Sequence, residues 1–128
     1  MENLIIEPTD DTPVVLFNSE LNTMELSGKS YPDNVFSFYE PVLDWLKTYA
    51  SNPGSDTHFI FKLDYFNTAS AKILYDIFTI LDSIQKKGNE VNILWHYKNG
   101  DDDMKEAGEG YERIINTRIT LVCDEGIV

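Results

Sequence analysis

The chain has 128 residues, the length of one ordinary domain, and can bury a core without disulfide or metal support. With 22 acidic and 10 basic residues, its formal net charge is −12, a field that repels nucleic-acid backbones and anionic membrane surfaces. We therefore expect no direct contact with nucleic acid or with a membrane.

The cysteine content indicates a reducing compartment, and the hydropathy indicates no membrane span. The single cysteine, Cys123, has no internal disulfide partner, and its position after Leu121 and Val122 in an apolar strand predicts an inert, buried thiol. No charged-then-apolar leader opens the chain, and no apolar run approaches the roughly 20 residues that span a bilayer. We expect a cytoplasmic protein with one domain over residues 1–128.

The N-terminal part of the chain has the pattern of short strands followed by a helix. Strand patterns at 4–7, 14–17 and 21–27, the last one alternating polar and apolar residues, are separated by turn residues and predict a small antiparallel meander. Apolar residues then recur at helical spacing from about residue 35 to about residue 50. Because Pro41 lacks a backbone donor, we expect a kink or a restart of this helix there.

The next strand, at 59–64, leads into a helix through a turn that carries a hydroxyl group. The apolar positions of this helix keep the spacing of one helical face: Ile73, Leu74, Ile77, Phe78, Leu81 and Ile84. Asn67 or Thr68 is expected to cap it, since either side-chain oxygen can accept a free backbone N–H. The same free N–H groups and positive dipole end suit a phosphate, so Thr68 is also a candidate phosphorylation site.

The remainder of the chain alternates strand and helix. A strand at 91–97 is followed by a weaker helix over about 104–115 and a last strand at 119–123. From residue 57 onward this order favours parallel strands joined by right-handed crossovers. The predicted fold is α/β: a mixed sheet of five or six strands, with an N-terminal antiparallel meander and then β-α-β-α-β, and about three helices.

No motif in the sequence assembles a catalytic or metal site. The segment 28–30 (GKS) resembles the end of a nucleotide-binding P-loop, but Thr23 stands where that motif requires glycine. The acidic run 101–103 lacks the spaced oxygen ligands of a calcium loop, so we expect a solvated helix cap. His58 and His96 have no cysteine or histidine at metal-ligand spacing. We expect no metal and no cofactor, and a binding module rather than an enzyme.

Three segments taken together resemble the signature blocks of the SiaC family, bacterial biofilm regulators. They are 27–34 (SGKSYPDN), 38–46 (FYEPVLDWL) and 64–72 (DYFNTASAK). The match in length and block order covers nearly the whole chain. The resemblance implies a fold similar to STAS domains, the class that includes anti-sigma factor antagonists, in which a Ser or Thr at a strand-to-helix turn is phosphorylated.

The resemblance also implies a function. Thr68 matches the phosphorylated threonine of the family, and Ser70 is the alternative site. A Ser/Thr kinase of histidine-kinase-like fold would phosphorylate it and a PP2C-type phosphatase would reverse this. The unphosphorylated form would bind and promote a diguanylate cyclase that makes cyclic di-GMP, so the protein would be a non-enzymatic partner-switching regulator. The partner-binding residues would be Asp64, Tyr65, Phe66, Asn67, Ala69, Ser70 and Lys72.

Two other functions stay open from the sequence. Asn67 stands where many antagonists carry Asp, and Ser70 where glycine is common, which argues against an anti-sigma factor target without excluding one. A small-molecule-binding domain or an enzyme would use His58 or His96 as a base, although no nucleophile stands near either histidine in the sequence.

Overall fold

The computed structural model describes residues 1–125, which fold as a six-stranded sheet with three helices. In chain order the elements are β1 (Leu4–Ile6), β2 (Val14–Asn18), β3 (Thr23–Ser30), α1 (Val35–Ser51), β4 (Asp56–Phe66), α2 (Thr68–Lys86), β5 (Glu90–Lys98), α3 (Asp102–Ile114) and β6 (Ile119–Asp124). Strand and helix types agree with the sequence pattern throughout, and the boundaries differ by a few residues.

The strands lie in the sheet in the same order as in the chain. β1 and β2 pair antiparallel, as do β2 and β3, whereas β3 with β4, β4 with β5, and β5 with β6 pair parallel. The predicted meander followed by β-α-β-α-β is therefore confirmed. In addition, β3 and β4 pair in parallel, and α1 is the connection between them. The parallel part of the sheet therefore begins at β3, one strand earlier than the pattern after residue 57 indicates.

The core lies between the sheet and the helices. Inward positions alternate along β4, where Thr57, Phe59, Phe61 and Leu63 are buried while the residues between them are exposed or half-buried. At its centre the ring of Phe61 lies 4.4 Å from that of Phe59, 4.9 Å from that of Phe78 and 5.3 Å from that of Trp95. This aromatic cluster joins β4 and β5 to α2, and the paired strands and α2 therefore share one apolar layer.

Two expectations from the sequence are changed by the structure. α1 is a single continuous helix, so the expected restart at Pro41 does not occur. Pro41 and Ser37 are both exposed, and water can satisfy the Ser37 carbonyl that a residue-41 amide would otherwise bond. The prediction of a buried thiol is wrong: Cys123 is exposed. It lies next to the end of β6, an edge strand that pairs with β5 alone.

Within residues 1–125, no helix combines the length and the apolar character that crossing a membrane requires.

Candidate functional site

The turn between β4 and α2 is built around Asn67. Its side-chain Oδ1 accepts a hydrogen bond from the backbone N–H of Ser70 at 2.9 Å, and its backbone has the extended conformation of an N-cap residue. Its own N–H donates to the Ser30 carbonyl at 3.0 Å, which ties the turn to the end of β3. Of the two cap candidates, Asn67 is thus the cap, and Thr68 is the first residue of α2.

The two hydroxyl residues of this turn have opposite environments. Thr68 is exposed to solvent, whereas Ser70 is fully buried. The Ser70 Oγ donates to the Ser30 carbonyl at 3.0 Å and lies 2.8 Å from the Ser30 Oγ. A modifying enzyme can therefore reach the Thr68 hydroxyl on the folded protein, but reaching Ser70 requires opening the turn.

Helical spacing carries a signal for this difference. Ser70 precedes Ile73, Leu74 and Ile77 by three, four and seven residues, so it lies on the apolar face of α2. Thr68 lies on the face that also carries the exposed Lys72. The helical spacing in the sequence is thus sufficient to distinguish the two hydroxyl residues.

A third hydroxyl completes a buried cluster beneath the turn. The phenol of Tyr39, from α1, hydrogen-bonds the Ser30 Oγ. Since Ser70 gives its one proton to the Ser30 carbonyl, Ser30 donates to the Ser70 Oγ and Tyr39 donates to the Ser30 Oγ. Burial raises the pKa of Tyr39 to about 12, so the phenol keeps the proton that this arrangement needs even at the alkaline pH at which an exposed tyrosine ionises.

The cluster is where the three sequence blocks meet. Ser30 belongs to the block 27–34, Tyr39 to the block 38–46 and Ser70 to the block 64–72. Sequence reasoning named the blocks without this connection. The available signal was a polar residue at an inward position of β3, since Ser30 continues the alternation of Met24 and Leu26.

An open groove of about 960 Å³ lies beside Thr68. Its walls come from the start of α1, the first turns of α2 and the end of α3, and include Val35, Phe36, Thr68, Lys72, Tyr75 and Ile114. Phe36 is 74% exposed and Ile114 is 61% exposed, and together with the exposed Tyr75 they give the groove a shared apolar surface. Such exposed apolar surface is typical of interaction sites.

The sequence prediction of the partner face did not include these groove residues. Phe36, Tyr75 and Ile114 come from three different helices, and only the fold brings them together. Phe36 carried a detectable signal, because it is an aromatic residue off the apolar face that Tyr39 and Val42 define in α1.

The predicted partner-binding residues divide between surface and interior. Asp64, Tyr65, Ala69 and Lys72 are exposed. Asp64 forms an ion pair with Lys98 at 2.9 Å, which raises the pKa of that lysine.

The remaining predicted partner-binding residues are half-buried or buried. Phe66 and Asn67 are half-buried, and Ser70 is buried. The Phe66 ring packs edge-on against Trp95, 6.0 Å away, so it belongs to the core as well. Ser70 supports the face from beneath, as part of the cluster.

Tyr65 extends the exposed face on the β4 side of the turn. Its ring lies 5.8 Å from that of Tyr31 in an edge-to-face arrangement, and both rings are partly exposed. Aromatic side chains of this kind dominate binding energies in many protein interfaces. The surface around Thr68 therefore has aromatic groups on both sides.

The other motifs have structural explanations. Gly28 has a φ of 106° next to an irregularity in the β3–β4 pairing, and Ser30 ends a strand rather than a phosphate-binding loop. Asp101 caps α3 by accepting from the Met104 N–H at 3.0 Å. His96 contacts Asp124 at 3.0 Å. In the described part of the chain, no cluster of three or more His, Cys, Asp or Glu side chains is arranged to hold a metal ion.

Comparison with known proteins identifies the family. The sequence model described as SiaC family regulatory phosphoprotein matches residues 6–123. The chain belongs to the SiaC family. An uncharacterised protein of Pseudomonas aeruginosa strain UCBPP-PA14 is 27% identical over 111 residues, covering 87% of this chain and 88% of that protein.

Solved SiaC structures share the fold. Apo-SiaC from Pseudomonas aeruginosa superimposes with a TM-score of 0.87 at 25% identity, covering 95% of this chain and 99% of that one. A second structure, of the diguanylate cyclase SiaD in complex with its activator SiaC from the same organism, matches with a TM-score of 0.89 at 24% identity, covering 94% and 99%.

Proposed function

We propose that this SiaC-family protein is a non-enzymatic partner switch controlled by phosphorylation of Thr68. The unphosphorylated form binds and promotes a diguanylate cyclase, and a Ser/Thr kinase of histidine-kinase-like fold and a PP2C-type phosphatase set the phosphorylation state. One observation carries the proposal: Thr68 is exposed at the first position of α2, on the rim of the apolar groove, while Ser70 is buried. The Pseudomonas aeruginosa SiaC that is an activator of SiaD supports the choice of partner.

The groove explains why a phosphate at Thr68 would change partner binding. A phosphate adds about −1.5 to −2 charges at neutral pH. A partner that packs on Phe36 and Tyr75 would have to remove water from that charge, and burying an unpaired charge is costly. In the free protein, Lys72 lies one helical turn from Thr68, and the α2 dipole also favours a phosphate there. Phosphorylation therefore stabilises the free form relative to the complex.

The proposed partner face consists of the groove together with the exposed residues of the turn. Asp64, Tyr65, Ala69 and Lys72 supply its surface around Thr68. Phe66, Asn67 and Ser70 hold the backbone that presents this surface. The exchange of a kinase, a phosphatase and a cyclase at one site needs no refolding of the domain, because the acceptor hydroxyl is already exposed.

Replacement of Thr68 tests the proposal directly. In Thr68→Ala, phosphate transfer by the cognate kinase should fall to background, and in Thr68→Glu the affinity for the cyclase should fall because a charge sits at the groove. Thr79→Ala is the matched control, since Thr79 is an exposed threonine about 16 Å further along α2. Radiolabel transfer and isothermal titration measure the two effects.

Unchanged phosphate transfer to Thr68→Ala would overturn the assignment. Phosphopeptide mass spectrometry over residues 63–72 then shows whether Ser70 is the acceptor instead. If the purified chain binds an anti-sigma kinase and does not bind the cyclase, the proposed partner is wrong, although the site remains the same.

A further inference from the structure

The Ser30, Tyr39 and Ser70 side chains form a buried polar cluster inside an otherwise apolar region. Each of the three residues has 0% exposure. Their hydrogen bonds connect the end of β3, the second turn of α1 and the first turn of α2. No buried side-chain polar atom among residues 1–125 lacks a partner, so this cluster is fully satisfied.

We propose that the Ser30–Tyr39–Ser70 cluster positions the start of α1 against the start of α2 and so sets the shape of the partner groove. This inference rests on the proposed function of that groove. Phe36 lies one helical turn before Tyr39, and Thr68 lies two residues before Ser70. A shift of either helix start therefore moves the residues of the groove wall with the cluster.

The polar character of the cluster is the reason for this inference. A buried hydrogen bond adds little net stability compared with apolar groups of the same shape, whereas its donor and acceptor geometry fixes one arrangement. The apolar contacts between α1 and α2 lack this directional requirement. The cluster also reaches the turn itself, since the Ser30 carbonyl accepts both the Asn67 N–H and the Ser70 hydroxyl.

The chain offers a matched pair of variants. Tyr39→Phe removes the hydroxyl of the cluster and keeps the ring. Tyr49→Phe removes the hydroxyl of the other buried tyrosine of α1, which lies about 15 Å further along the helix than Tyr39. The Tyr49 hydroxyl lies 2.8 Å from the Thr57 hydroxyl. Tyr39→Phe loses the hydrogen bond to Ser30, whereas Tyr49→Phe loses the bond to Thr57 together with those to the Asn22 Oδ1 at 3.1 Å and from the Gly54 N–H at 3.3 Å. Tyr49→Phe should therefore lower the melting temperature at least as much as Tyr39→Phe.

The two variants should differ in partner binding. Titration with the purified cognate diguanylate cyclase, the SiaD homologue of the source genome, should show about fivefold weaker affinity for Tyr39→Phe. The affinity of Tyr49→Phe should stay within about twofold of the wild type. Ser30→Ala breaks the same cluster from the strand side and should behave as Tyr39→Phe does.

A double-variant cycle separates positioning from a loss of stability. If the cluster acts through the groove wall, Tyr39→Phe should have little further effect on affinity in a Phe36→Ala background. Equal affinities of Tyr39→Phe and Tyr49→Phe, or full additivity with Phe36→Ala, would overturn the positioning role. If the wild type does not bind the cyclase, the proposed function fails instead, so the two failures are distinguishable.

Discussion

At the scale of single residues, the site depends on a few polar side chains with separate tasks. Asn67 follows β4 and caps α2, so Thr68 has no capping role, and Thr68 is exposed to solvent. Ser30 and Ser70 hold the backbone of the turn from inside. Thr68 is thus presented by a backbone that three hydrogen bonds keep in place, which is the requirement for a rigid recognition site.

Loss of the N-cap of α2 should lower the free energy of unfolding by a measurable amount. Asn67→Ala should lower the free energy of unfolding by about 1 kcal/mol, because the Ser70 N–H loses its acceptor at the N-terminus of α2. Asn67→Asp should stay within a few tenths of the wild type, since the two residues cap helices equally well. Urea denaturation followed by circular dichroism measures both. Equal stability of wild type and Asn67→Ala would show that the cap does not contribute.

At the scale of elements, α3 has few apolar residues and depends on specific contacts with its neighbours. Only Met104 and Gly108 of this helix are buried. The Trp95 Nε1 donates to the Met104 carbonyl at 2.9 Å, and the Tyr111 hydroxyl donates to the Ala71 carbonyl of α2 at 2.7 Å. These contacts place Ile114, at the end of α3, on the groove.

The close packing of α3 predicts opposite effects for its two glycines. A Cβ at Gly108 would lie 2.5 Å from the Cδ1 of Trp95, so Gly108→Ala should destabilise by about 1–3 kcal/mol through overpacking. A Cβ at Gly110 would meet its nearest neighbour, the Arg113 guanidinium, at 3.9 Å. Gly110→Ala should therefore stabilise by about 0.5–1 kcal/mol through helix propensity. Thermal unfolding of both variants checks the pair, and destabilisation by Gly110→Ala would contradict the prediction.

At the scale of the whole molecule, one apolar layer connects the antiparallel and the parallel parts of the sheet. The Trp45 ring lies 5.1 Å from that of Phe17 in β2, and the Phe17 ring lies 5.6 Å from that of Phe59 in β4. From Phe61 the contacts continue to Trp95 in β5. Because the antiparallel and the parallel parts share these contacts, we propose that the chain is a single cooperative domain.

Cooperativity can be tested with the two tryptophans, which lie on opposite sides of the core. In Trp45→Phe the fluorescence reports on Trp95 alone, and in Trp95→Phe on Trp45 alone. Within each variant, the urea midpoint from fluorescence should coincide with that from far-UV circular dichroism. Separate midpoints in either variant would show that the N-terminal meander unfolds independently of the β-α-β part.

The sequence alone determined the order and type of the elements, since helical and strand periodicity are local properties of the chain. It also located the turn at Thr68. Which groups surround that turn was decided by the tertiary structure. The meeting of Ser30, Tyr39 and Ser70 depends on the pairing of β3 with β4 and on the path of α1.

The tertiary structure likewise determines whether residues at the ends of helices and strands are exposed. The apolar pattern around Cys123 was compatible with burial, but its place near the end of an edge strand exposes it. Phe36 and Ile114 form the groove because α1, α2 and α3 end or begin at the same place. Periodicity indicates which face of a helix or strand points towards the core. Whether the ends of that element are buried depends on helices and strands that are distant in the chain.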